Sequence, residues 1–225
     1  MKSQIMNKKK PSQFIQTIFN KYGMLLVFVL LCIVMSFSHK SFMTMGNWQN
    51  LVRQISVNGI LAMGMTFVIL TGGIDLSVGS IIAVSGVVAA KFLTDYPDTS
   101  MFVALLFTLG ICCCFGACYG SIIAQFGLPP FVVTLSIMQI ARGFALVYSD
   151  GKPIIIYDDA VRSLGQGKLF GVLPVPVIIF LCIFLISLFL LKSTKFGRYV
   201  VAIGGNKQAA RASGVNVKLY TTLVY

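Results

Sequence analysis

From residue 22 onward, long apolar runs alternate with short polar links. The runs cover 22–37, 55–70, 78–92, 101–125, 131–148 and 172–191. At 1.5 Å per residue, about 20 apolar residues cross a hydrocarbon layer of roughly 30 Å. The pattern therefore predicts an all-α polytopic transmembrane helix bundle of six spans. Residues 219–225 look like the opening of a seventh span and are too short to cross. The 55–70 run is itself short for a bilayer. It abuts Thr71-Gly72-Gly73-Ile74-Asp75-Leu76-Ser77-Val78-Gly79-Ser80, a polar, glycine-rich interruption of the pattern.

Glycine adopts backbone conformations that other residues resist, so Gly72-Gly73 is expected to end a helix. Ser77 is placed to cap the helix that restarts at Val78. Asp75 is the unusual residue, because a carboxylate at mid-bilayer costs about 2.5–3.5 kcal/mol on insertion scales. It is expected to face protein, water or the membrane surface. The shortness of the second run favours a discontinuous helix of the kind transporters use. A short cytoplasmic turn between two full spans fits the periodicity equally well.

Other positions stand out along the chain. Cys112, Gly116, Gly120 and Ala124 recur every four residues, a smooth stripe suited to close helix packing. Gly127-Leu128-Pro129-Pro130 breaks and restarts the helical pattern. In the fifth run, Gln139 and Arg142 are three residues apart and share a face. Together with Asn58 of the second run they are candidates for lining a polar route, and Arg142 alternatively snorkels to the surface. Residues 149–172 read as a polar loop of balanced charge. After the sixth run comes the most basic segment, with Lys192, Lys195, Arg198, Lys207, Arg211 and Lys218 and no acid.

Charge then orients the spans. Residues 1–21 are basic, with Lys2, Lys8, Lys9, Lys10 and Lys21. A signal peptide is the other reading of a basic start before an apolar run; 36–41 offers only a weak cleavage site, and more spans follow. With a cytoplasmic N-terminus, six alternating spans put the 192–217 loop inside and the 95–98 and 149–172 links outside, as the positive-inside rule requires. The expected layout is thus a cytoplasmic basic segment, 1–21, and a transmembrane domain, 22–225.

Composition narrows the chemistry. Hydrophobic residues make up 57% of the 225 and charged residues 11%, against about a quarter charged in soluble domains. The net charge of +12 would suit nucleic acid, but its placement beside apolar runs reads as membrane topology. The chain holds six aspartates and no glutamate, which leaves little for acid–base catalysis. All six cysteines lie in apolar runs without a CxxC pair, and His39 is the single histidine, so no metal is expected. Phosphate-loop, HExxH and GxSxG patterns are absent. Within 204–214, Ala209, Ala210 and Ala212 favour a short helix that Gly214 would end. Such a helix would suit docking of a soluble partner; an ordinary basic inside loop is the plainer reading.

Two blocks carry a resemblance. The first is Val68-Ile69-Leu70-Thr71-Gly72-Gly73-Ile74-Asp75-Leu76-Ser77-Val78-Gly79-Ser80. The second runs from Thr194-Lys195-Phe196-Gly197-Arg198-Tyr199 through Ala202-Ile203-Gly204-Gly205-Asn206 to Ser213-Gly214-Val215-Asn216-Val217. Together they resemble sugar permeases of the ribose type, the membrane subunits of bacterial ATP-binding-cassette importers. Gln208-Ala209-Ala210 with Gly214 is similar to the family's coupling pattern, with glutamine in place of the usual glutamate.

The resemblance implies a multi-pass permease subunit in the bacterial inner membrane that moves a simple sugar inward by alternating access, with ribose the first expectation. It is not itself an enzyme. Implied partners are ATP-binding-cassette ATPase subunits, which carry the ATP and magnesium, a soluble sugar-binding protein, a second permease copy forming a homodimer, the sugar and membrane lipid. The coupling residues implied are Arg198, Gly204, Gly205, Asn206, Ala209, Ala210 and Gly214. Asp75 with Gly72, Gly73, Ser77 and Gly79 is expected to set a helix break rather than to bind sugar. Family members usually continue for several further spans, so a fragment or truncated frame is expected, with an inactive or purely structural subunit as the alternative. A secondary transporter is the more distant rival, since ionisable residues along the spans are few.

Overall fold

The computed structural model describes residues 11–225; Lys2, Lys8, Lys9 and Lys10 lie outside the described residues. Among the described residues, six helices are long and apolar enough to cross a membrane. They are α1 (Pro11–Ser38), α2 (Met45–Leu70), α3 (Val78–Asp95), α4 (Met101–Phe126), α5 (Pro130–Tyr148) and, after a short helix α6 (Asp159–Gln166) and a two-stranded hairpin, α7 (Val175–Ser193). Three short helices follow: α8 (Lys195–Gly205), α9 (Lys207–Ala212) and α10 (Val217–Val224). The all-α bundle read from the apolar runs is the fold found.

The chain divides into two compact units, the first ending at Leu51 and the second running from Val52 to Tyr225. In the first, the 38–44 link turns on local bonds, and the Asn47 side-chain amide donates to the Phe42 carbonyl at 2.8 Å. That turn lets α2 begin at Met45, ten residues earlier than the apolar pattern put it. The second span is therefore 26 residues, about 39 Å at helical rise, and is not short. The apolar run began late because Asn47, Asn50 and Arg53 occupy the helix's first turns. The 149–172 segment is also more ordered than a polar loop. Asp158 caps α6 by accepting from the Ala160 and Val161 amides, and β1 (Lys168–Leu169) pairs antiparallel with β2 (Leu173–Pro174).

Within the second unit, paired residues give the helix directions. On α3 and α4, Asp75 meets Tyr119 and Phe92 stacks on Phe107, so these helices are antiparallel. On α3 and α5, Val84 and Val88 pack with Ala141 and Ala145, and Lys91 donates to the Tyr148 carbonyl; these two are parallel. Gly59 lies under the Phe180 ring and Phe67 reaches the level of Leu188 and Leu191, so α2 and α7 are parallel. Gly116 and Gly120 face Tyr225 and Thr222 in turn, which sets α10 antiparallel to α4. Each pairing agrees with strict alternation of spans. One end of this unit thus gathers the last turns of α2, α4 and α7, the first turns of α3 and α5, and the basic helices α8–α10.

Most of the buried residues are small or β-branched, as close helix packing demands, with Leu93 and Tyr119 among the larger exceptions, while many Leu, Ile and Phe are turned outward, Leu185 and Phe189 among them at 62% exposure each. On the α4 stripe, a Cβ at Gly120 would stand 2.9 Å from the Thr222 carbonyl oxygen, whereas one at Gly110 meets nothing within 4 Å. Gly120→Ala is therefore expected to push α10 off α4 and to destabilise the protein by about 1–3 kcal/mol. Gly110→Ala should be neutral or slightly stabilising, since alanine is the better helix former. Thermal unfolding in detergent measures both.

Candidate functional site

The break between α2 and α3 is built by alternation. Gly72, at φ +78, is in the left-handed region that glycine tolerates, and its amide donates to Ile69. From there to Leu76 the chain is neither helix nor strand, and Ser77 already has helical angles, φ −79 and ψ −15. Thr71, Gly73, Asp75 and Ser77 are buried, and Gly72, Ile74 and Leu76 are exposed. The polar side chains of this piece point into the protein and the apolar ones point away from it.

Asp75, 7% exposed, accepts three hydrogen bonds. Oδ1 takes the Ser77 amide at 2.7 Å and the Ser77 hydroxyl at 2.6 Å, and Oδ2 takes the Tyr119 hydroxyl at 2.9 Å. Ser77 therefore sits before α3 without capping it through its side chain, contrary to expectation. Its hydroxyl is turned toward Asp75, to which it donates, and the Ser80 amide is taken by the Ser77 carbonyl instead. On the other side, the Leu76 amide donates to Thr134 Oγ1 at 3.2 Å, and that hydroxyl lies 3.2 Å from the Ile74 carbonyl, to which it can donate. The break is thus fastened to α4 by Tyr119 and to α5 by Thr134, itself fully buried. Tyr119 lies seven residues before the end of α4, so the break is recessed by roughly 10 Å from that end of the bundle.

The second cluster is the basic segment after α7. Thr194 caps α8, accepting from the Gly197 amide, and its hydroxyl donates to the Leu190 carbonyl. Asn206 ends α8 and starts α9, accepting from the Gln208 and Ala209 amides at 2.9 Å each. Gly214, at φ +83, turns the chain after α9, and Asn216 caps α10 by accepting from Leu219. The short helix expected from Ala209, Ala210 and Ala212 is α9, and Gly214 follows its end. Ile203, Ala210 and Val217 form one buried cluster across all three helices. Arg198, Gly205, Asn206 and Ala209 are exposed, as are Lys195, Lys207, Arg211 and Lys218.

The two clusters touch. A Cβ on Gly204 would lie 1.7 Å from the Leu70 carbonyl oxygen, so α8 rests directly on the last residue of α2. The Phe67 and Phe196 rings meet at 5.7 Å, and Phe196 continues to Tyr220 of α10. Of the implied coupling residues, Ala210 is buried, Gly204 is exposed with one side against Leu70, Asn206 and Gly214 shape the turns, and Arg198, Gly205 and Ala209 lie on the outer surface.

The polar-route candidates are not brought together. Arg142 lines a groove of about 540 Å³ between α3 and α5 with Gly79 and Ser80. Asn58 and Gln139, both exposed, do not line that groove. Sequence reasoning did not find the partners of Asp75. Thr134 was visible as a polar residue in an apolar run, whereas Tyr119 reads as an ordinary aromatic until its hydroxyl is placed.

The chain is similar to proteins described as the permease component of branched-chain amino acid transport systems, whose family model matches residues 47–225. It is 38% identical over 201 residues to the ribose import permease protein of Haemophilus influenzae, covering 88% of this chain and 61% of that one. The Bacillus subtilis ribose import permease protein is 37% identical over 227 residues, covering 100% and 70%. The L-arabinose transport system permease protein of Escherichia coli K12 is 40% identical over 200 residues, covering 89% and 60%. The chain thus spans about three fifths of the length of the first and third of these relatives. No solved structure matches it.

Replacing Tyr119 with phenylalanine leaves Asp75 Oδ2 buried without its donor and should cost about 1–3 kcal/mol. Asp75→Asn should fold, because an amide oxygen still accepts from Ser77 while its nitrogen turns to the Tyr119 oxygen. Asp75→Lys should not, since it places a cation where only donors converge. Yield of monodisperse protein and its unfolding temperature separate the three.

Proposed function

The chain belongs to the family of branched-chain amino acid transport system permease components, and from that membership we propose that it is the membrane-spanning subunit of an ATP-driven importer of a simple sugar. The observation that carries the reading is the likeness to ribose and arabinose permeases along nearly the whole of this chain. Ribose is the favoured sugar, because the relative that matches over the whole of this chain is described as a ribose import permease protein. A multi-pass membrane protein is what six apolar spans require.

In this reading the end of the bundle bearing α8–α10 faces the cytoplasm. Its exposed lysines and arginines next to apolar spans support that side. The N-terminus is then cytoplasmic too, since α1 is one of six alternating spans. The outward surface of α8 and α9, with Arg198, Gly205 and Ala209, is where an ATPase subunit carrying ATP and magnesium would seat. A soluble binding protein would deliver sugar at the opposite end, beside α6 and the hairpin. A second copy of the permease would complete the pathway. ATP drives transport when the nucleotide-bound partner favours one conformation over the other. The location is the bacterial inner membrane.

Uptake of labelled ribose by cells carrying the protein with its ATPase and binding protein tests this. Uptake should stop when ATP is depleted and when the ATPase is deleted, and ribose should outcompete arabinose. Uptake that survives loss of the ATPase would instead indicate a secondary transporter.

A further inference from the structure

The polar segment between α5 and α7 closes on a hairpin whose tip is apolar and open. We propose that this hairpin, β1 and β2 with the turn between them, is an interfacial anchor. Phe170 at its tip seats in the phospholipid headgroup layer at the end of the bundle opposite α8–α10. The partner is the lipid surface itself. The inference depends on the chain crossing a membrane and not on what an importer carries.

Position is the first observation. α7 is 19 residues long, about 28 Å at helical rise, which is close to the roughly 30 Å of hydrocarbon in a bilayer. Lys192 in its last turn marks one boundary of that layer. Val175, its first residue, is therefore at the other. The Val175 amide donates to the Gly167 carbonyl at 3.0 Å, and β1 pairs with β2 between them. The hairpin is thus fastened at its base to the edge of the hydrocarbon and does not hang on a free linker. From Val175 to the turn is at most about 14 Å of chain, so the tip cannot stray far from the headgroups.

The second observation is chemical. Leu169, Phe170, Val172 and Leu173 are all exposed, Phe170 at 92%. The one charge in the hairpin is Lys168, exposed at its base. Turns that face water are usually built from Gly, Asn, Asp and Ser. An apolar tip beside a lysine instead matches a headgroup layer, where the ring meets the acyl boundary and the ammonium meets phosphate. This surface continues along α7, where Ile179, Leu181, Leu185 and Phe189 are exposed. The hairpin prolongs the apolar exterior of a span.

The third observation is the backbone. The Val172 amide donates to the Leu169 carbonyl at 3.3 Å, and the two residues between them, Phe170 at φ +52 and Gly171 at φ +73, are both left-handed. Asn-Gly is the pair such a hairpin turn prefers, and a bulky residue at positive φ is a genuine outlier. Packing within the chain does not hold so open a ring in that conformation. Seating in lipid gives the aromatic residue a use that asparagine would not have.

The test uses the full-length protein in nanodiscs of phosphatidylethanolamine and phosphatidylglycerol. Trp48, the single tryptophan, is changed to phenylalanine, so that Phe170→Trp reports from the tip alone. Lipid brominated near the headgroup end of its acyl chains should quench this emission at least twofold, while acrylamide in the water should quench it weakly. Trypsin gives a second readout, cleavage after Lys168. Phe170→Leu keeps an apolar tip and should be cut within about twofold of the unaltered rate. Phe170→Asn suits the turn better but has no affinity for lipid, and should be cut at least fivefold faster.

Emission quenched by acrylamide and not by brominated lipid overturns the proposal. If a sugar-loaded binding protein then shields position 170 from acrylamide, the surface belongs to that protein instead. Emission that neither quencher reaches places the ring against protein and overturns the proposal as well. So does Phe170→Asn cut no faster than Phe170→Leu, a comparison that stands even where the tryptophan variant fails to assemble.

Discussion

A carboxyl group taken out of water must be given hydrogen bonds by the protein, and the meeting point of α2, α3, α4 and α5 is arranged around doing so for Asp75. Its three donors are neutral: a serine amide, the same serine's hydroxyl and a tyrosine hydroxyl from another helix. A buried acceptor left without a donor costs about 1–3 kcal/mol or more, so satisfying Asp75 dictates other choices. Ser77 turns its hydroxyl to Asp75, Tyr119 must present its hydroxyl at the right turn of α4, and the 74–76 backbone stays out of helix. A non-helical backbone leaves its own amides and carbonyls without helical partners, and Thr134 answers two of them at once. The polar signature is in this sense one object, although its parts come from three segments of chain.

The inversion of the break follows from its surroundings. A strand on a soluble protein turns apolar residues inward and polar ones to water. Here Thr71, Asp75 and Ser77 point in and Ile74 and Leu76 point out. That is the economical arrangement where the outside is hydrocarbon or further apolar helices, and where the only available polar partners are inside the bundle. Close approach of backbones works in the same direction. With little hydrophobic drive between helices in lipid, contact must come from packing. Close contacts of glycine against carbonyl join helices at Gly116 on Tyr225, Gly120 on Thr222 and Gly204 on Leu70.

Much of the fold was legible because lipid imposes a simple code. Six apolar runs, their alternation and the basic segment all follow from the need to keep backbone groups paired in hydrocarbon, and all six helices are present. The boundary of α2 was missed for the converse reason: Asn47, Asn50 and Arg53 are helical but polar, so a hydropathy pattern stops short of them. The 149–172 segment looked like a loop because α6 is too short to display a period and its start is set by one aspartate cap. At the site, glycine and aspartate were visible as anomalies, and the alanines and Gly214 around α9 as helix and stop signals. The fastening of Asp75 was not visible. Tyr119 is 44 residues from it, and nothing local in the sequence says which of eight tyrosines has its hydroxyl on a carboxylate.

The short helices after α7 show why a basic segment outside the apolar runs should be rigid. On the importer reading, a flexible loop between an ATPase and a bundle would absorb a displacement as changes in its own dihedrals, and little would arrive at the spans. Instead Thr194, Asn206 and Asn216 each cap a helix start, so the backbone amides of three consecutive turns of chain are held by their own side chains. Ile203, Ala210 and Val217 then close these helices on one another, and Phe196 with Gly204 sets the assembly against α2. Charge faces outward and packing faces inward on the same pieces. An exposed charged surface and a packed body are both obtained from about thirty residues, because capping fixes each helix without using the side chains that form the surface.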